Sequence, residues 1–230
     1  MSRQYQPLFN YFKQLFAQVT NPPIDSIREE IVTSTAVYLG KDGNLLEDKA
    51  ENVRVLKINN PILSNLDLLK IRNMKKSGFK TADISILYYK NTPLEKAIEN
   101  MFNEADKAIE AGSTILILSD RGVDETHVPI PSLLAVSAMH QHLLRTKRRM
   151  SCALILETAE PKEVHHFATL LGYGASAINP YLIQDCLQEL IDEGTLNKEY
   201  YAAVHGKKRQ IRRAADVRYS KYEAGKGSRE

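Results

Sequence analysis

Apolar positions follow two alternating patterns along the second half of the chain. Continuous apolar runs at 114–120 (TILILSD) and 152–158 (CALILET) predict strands buried on both faces, and 82–89 (ADISILYY) and 175–181 (ASAINPY) predict two more. Helical spacing separates them. Leu94, Ala97, Ile98, Met101, Ala105, Ala108 and Ile109 share one face of a helix, with Thr92 as its cap, Pro93 in the first turn, Glu95 closing a capping box and Gly112 as its stop. Further helices are predicted over 131–146, over 163–174 ending at Gly172, and over 182–194 ending at Gly194. Strand and helix alternate four times, which predicts an α/β fold of repeated βα units. Its parallel strands are joined by right-handed crossovers and resemble a partial (β/α)8 barrel. An open doubly wound sheet has the same pattern, and the sequence does not choose between them.

The first third is less regular. Phe9, Phe12 and Phe16 fall at helical spacing. Thr20-Asn21-Pro22-Pro23-Ile24-Asp25 is stiff, because each proline fixes its own φ and extends the residue before it. Ser26 with Glu29 fits a capping box for a short helix. Residues 39–52 read as loop and 53–58 (VRVLKI) as a weak strand. Apolar periodicity fades from Val204 onward. Two parts are therefore expected: a globular domain over 1–203 and a basic, disordered tail over 204–230.

Charge sharpens that division. Residues 205–230 hold nine Lys/Arg against three Asp/Glu, so the tail carries +6 and the body −3 of the chain's overall +3. A tail of Lys and Arg alone is a weak nucleic-acid signal, and a solvated tail is the reading adopted. No apolar run approaches the roughly 20 residues that span a bilayer, and the first residues lack the apolar centre of a signal peptide. Two cysteines, Cys152 and Cys186, provide no disulfide framework. A cytoplasmic protein without membrane contact is expected.

In parallel α/β folds chemistry collects where strands end. Those ends read Ser119-Asp120-Arg121, Glu157-Thr158 and Asn179-Pro180-Tyr181, all on one edge of the predicted sheet. Asp120, Arg121, Glu157 and Asn179 form the candidate polar cluster. The alternative is that strand ends are polar because they meet water. No metal site is expected: neighbours His165 and His166 point about 100° apart on a helix, and His140 and His142 also diverge. Gly172-Tyr173-Gly174 precedes a strand, whereas a phosphate cradle follows one, so it reads as a helix stop. Cys152 and Cys186 read as core residues rather than nucleophiles.

Four segments carry a further signal: 9–32 (FNYFKQLFAQVTNPPIDSIREEIV), 115–143 (ILILSDRGVDETHVPIPSLLAVSAMHQHL), 163–182 (EVHHFATLLGYGASAINPYL) and the weaker 60–64 (NPILS). In order and spacing they resemble the central domain of the glutamate synthase large subunit, over roughly residues 5–203. The resemblance implies an α/β connector between a glutaminase domain and a (β/α)8 domain that holds FMN and an iron–sulfur cluster. It also implies a place beside the path of ammonia between the two active sites. That enzyme makes glutamate from glutamine and 2-oxoglutarate. On this resemblance Thr20, Asn21 and Asp25 are the interdomain and ammonia-path candidates, and the partners are the glutaminase and FMN-binding domains or polypeptides. The chain itself is expected to hold no cofactor and to be inactive alone, since Met1 is followed by Ser2 rather than a nucleophilic cysteine and two thiols are too few for a cluster. Departures are Gln141 where the family has a third histidine, and Ala159 and Lys162 where it has Gly and Arg. The resemblance is expected to stop near Val204, as at a truncated or excised end. A free-standing binder of a small anionic metabolite, or a truncated remnant without function, are the alternatives.

Overall fold

The computed structural model of the chain describes residues 6–13, 24–44 and 46–197. A 3-10 turn over Leu8–Phe12 is followed by α1 (Ser26–Val32), β1 (Val37–Leu39), a 3-10 turn at Ala50–Val53, β2 (Leu56–Ile58) and α2 (Asn65–Arg72). Then come β3 (Thr81–Ser85), β4 (Leu87–Tyr89), α3 (Leu94–Glu110), β5 (Ile115–Ser119), β6 (His127–Pro129) and α4 (Ser132–Arg145). The series ends with β7 (Ala153–Glu157), α5 (Val164–Gly172), β8 (Ala177–Asn179) and α6 (Tyr181–Asp192).

Strands β3, β5, β7 and β8 form one parallel sheet in sequence order. This is the α/β architecture expected, and it keeps the strand order of consecutive units in a (β/α)8 barrel. Leu116, Leu118, Leu154, Leu156 and Ile178 point to one face, against Met101 of α3, Val136 and Met139 of α4 and Leu170 of α5. Ile115, Ile117, Ala153, Ile155 and Ala177 point to the other, against Leu39, Leu63, Leu68 and Ile71. Burial on both faces is the reason that 114–120 and 152–158 read as unbroken apolar runs. The face that would line a barrel is covered by β1, β2 and α2. Pro61–Leu63 also shields the β8 edge: Ile178 N donates to Pro61 O (2.7 Å) and Leu63 N to Ile178 O (2.8 Å).

Several boundaries differ from expectation. The run 82–89 is not one strand. It breaks at Ile86, whose N–H bonds Ser119 O at 2.9 Å, and β4 leaves the sheet to pair antiparallel with β6. Asp25, not Ser26, caps α1: its Oδ1 accepts from Ile27 N (3.1 Å) and Arg28 N (2.8 Å). At α3 the cap position is Pro93, without a side-chain bond, so the predicted Thr92 cap does not form. Gly172 lies inside α5, and the chain turns at Gly174, whose φ of +118° favours glycine. The tail 204–230 lies outside the described residues, as does Phe16. Among the described residues no helix is long and apolar enough to cross a membrane.

Candidate functional site

The parallel register sets Ser119, Glu157 and Asn179 side by side at the C-terminal ends of β5, β7 and β8. Glu157 occupies the middle of this row. Its side chain is 3% exposed, yet both carboxylate oxygens are engaged. Oε1 accepts from Arg121 Nε (2.5 Å), and Oε2 from Ser119 Oγ (2.7 Å) and Arg72 Nη2 (2.9 Å). Burial alone would push this carboxyl up, but the three hydrogen bonds outweigh it and hold it below the ordinary glutamate value. Arg72 reaches on to Asp83 through Nε at 2.8 Å, and these carboxylates keep its guanidinium charged despite partial burial. The Arg121 guanidinium lies 4.0 Å from the centre of the Tyr181 ring. Burial and the neighbouring Asp120 carboxylate push the Tyr181 hydroxyl well above its ordinary value, so it stays neutral.

Of the four residues predicted to cluster, only Arg121 and Glu157 bond each other. Asp120, 2% exposed, turns to the following loop, where its Oδ2 accepts from Thr158 Oγ1 (2.6 Å) and Ala159 N (3.0 Å). Asn179, fully buried, donates through Nδ2 to Leu63 O and Asn65 Oδ1, both at 3.0 Å. Arg72 carries no signal in the sequence. It ends α2, 85 residues from Glu157, and no local pattern links the two. Thr20 and Asn21 lie outside the described residues. Asp25 is exposed at the start of α1 and lies 3.5 Å from Arg28 Nε.

The two cysteines do not fit an iron–sulfur cluster. An iron–sulfur cluster needs several close thiolates. Cys152 is buried at the start of β7, with its thiol pushed up to about 11 mainly by burial, and Cys186 is exposed on α6. Among the described residues no three His, Cys, Asp or Glu side chains group as metal ligands. The glycine pair also offers no phosphate cradle, because a Cβ on Gly174 would lie 2.6 Å from the His140 ring. The N-terminus of α4 already holds a carboxylate: Glu160 Oε2 accepts from Ser132 N (3.0 Å) and from Ser132 Oγ.

By its fold the chain is a parallel α/β domain, with Glu157 at the centre of a strand-end network of Ser119, Arg121 and Arg72. Sequence comparison gives its kind. Residues 1–218 match the family profile described as glutamate synthase central domain. The glutamate synthase [NADPH] large chain of Bacillus subtilis (strain 168) is 50% identical over 204 residues, which are 89% of this chain and 13% of that protein. The ferredoxin-dependent glutamate synthase 2 of Synechocystis sp. (strain ATCC 27184 / PCC 6803 / Kazusa) is 45% identical over 85% of this chain and 13% of its own length. For the glutamate synthase [NADH] of Saccharomyces cerevisiae (strain ATCC 204508 / S288c) the figures are 42%, 82% and 9%. The chain belongs to the glutamate synthase central domain family, and it spans about an eighth or less of the length of these relatives. The profile match runs past Val204, where the resemblance was expected to stop.

Proposed function

We propose that this chain serves as the connector of a glutamate synthase, joining a glutaminase domain to an FMN-binding synthase domain beside the ammonia path, with no activity of its own. The observation that carries this reading is the match of residues 1–218 to the glutamate synthase central domain family. The Glu157 network supports it, since Arg121, Ser119 and Arg72 engage both carboxylate oxygens within the fold. Relatives named for NADPH, ferredoxin and NADH match the same segment, which favours a place away from electron entry. On this reading Thr20, Asn21 and Asp25 line the domain junction, and FMN, the iron–sulfur cluster and the nucleophilic cysteine belong to the neighbouring domains. The setting is cytoplasmic nitrogen metabolism.

Affinity capture with purified glutaminase and FMN-synthase polypeptides tests the reading. Binding of both is expected, with glutamate formed from glutamine and 2-oxoglutarate only when all three are mixed. Binding of neither would overturn it.

A further inference from the structure

The string Glu163-Val164-His165-His166 has no part in the strand-end network, and among the described residues its side chains meet the segment 9–13. Glu163 lies 3.9 Å from Lys13 Nζ. His165 Nε2 donates to Phe9 O at 2.9 Å. The His166 ring stacks on Phe9, with centroids 4.3 Å apart and planes 16° from parallel. Farther along, at the end of α5, Tyr173 meets Phe12 edge-on at 5.0 Å. Phe9 itself is 1% exposed, so the segment is seated in the core rather than laid over it.

His166 is 7% exposed, and its hydrogen bond fits the neutral ring. Its Nδ1 accepts the Lys162 N–H at 3.1 Å, so Nδ1 must carry a lone pair and the hydrogen sits on Nε2. A second proton would go to Nδ1 and set two donors against each other. The surrounding charges are mixed. Glu163 Oε1, 3.1 Å from Nε2, and Glu160 favour the charged ring, while His165 and Lys13 oppose it. Burial is the largest influence and pushes the ring below its ordinary value.

We propose that Glu163, His165 and His166 form a clamp that seats residues 8–13 on α5 and opens as the medium turns mildly acidic. The neutral ring belongs to the docked state. Docking is therefore complete above the free-histidine value of about 6.5 and weakens as pH falls below it. One pH unit below that value weakens docking by up to about tenfold. The clamp stands apart from the connector reading and is tested on the chain alone.

Hydrogen exchange of the full chain at pH 7.5 and 5.5, corrected for intrinsic chemistry, reads the clamp directly. Protection of the peptide covering 6–13 is expected to fall about tenfold at pH 5.5, with the β5 peptide unchanged. His166→Phe keeps a ring on Phe9 without a titrating group, so its protection should not change with pH. If that variant fails to fold, His166→Asn, whose Oδ1 takes the place of Nδ1 as acceptor for Lys162, should give the same result. His165→Gln retains a donor toward Phe9 O and should keep the pH dependence. Equal protection of the wild type at both pH values, or an undiminished pH effect in both His166 variants, would overturn the proposal.

Discussion

Glu157 shows how a residue that reads as chemistry in the sequence can have both its oxygens engaged within the fold. A carboxylate at a strand end in an α/β sheet is a reasonable catalytic candidate, and nothing in its neighbourhood in sequence says otherwise. What decides is Arg72, brought in from α2, which with Ser119 and Arg121 engages both oxygens. Removing one partner of a buried pair leaves the rest uncompensated. Glu157→Gln is expected to destabilise the domain by about 3 kcal/mol at pH 7, measured by urea unfolding. The carboxyl is held below its ordinary value, so its stabilisation is complete above about pH 4.5 and is lost as pH falls further. The gap between wild type and variant should therefore close on the acid side. A gap independent of pH would show that the loss comes from packing instead of charge.

At the level of elements, legibility follows length. Strands β5 and β7 and helices α3 and α4 lie within a residue or two of expectation, because continuous apolar runs and a long single face survive any local irregularity. Strands β1 and β6 have three residues each, too few for alternation to register. Helix α2 is not legible because Leu68 and Ile71 are buried while Leu66 and Leu69 are exposed, which leaves no single apolar face. The strand ends are legible as a row, since parallel strands share a direction. Which of them touch is not legible, because the deciding partners come from α2 and the loop after β2. Helix α6 forms where its spacing predicts it, yet it has no fully buried residue, whereas α4 has six. Its amides are expected to exchange at least about tenfold faster than those of α4. Equal rates would mean that α6 opens only with the whole domain.

The whole molecule depends on covering both faces of one sheet with segments remote in sequence. Leu39 is fully buried on the second face, while the adjacent Tyr38 is 56% exposed. Leu39→Ala should cost about 2–5 kcal/mol by thermal or urea unfolding, and Tyr38→Ala within about 0.5. Similar losses for the two would mean that β1 is not an essential cover. The bridge between Pro61–Leu63 and Ile178 has a consequence for synthesis. A ribosome makes residues 37–79 well before β8, and bonds across so long a loop form only after both ends exist. Leu39, Leu63, Leu68 and Ile71 pack on Ile115, Ile117, Ala153 and Ile155 as well as on Ala177, so their cover is completed only when β8 joins β5 and β7. The nascent chain passes through a stage in which part of this apolar surface is open to chaperones, and the segment 61–63 is fastened only when β8 arrives.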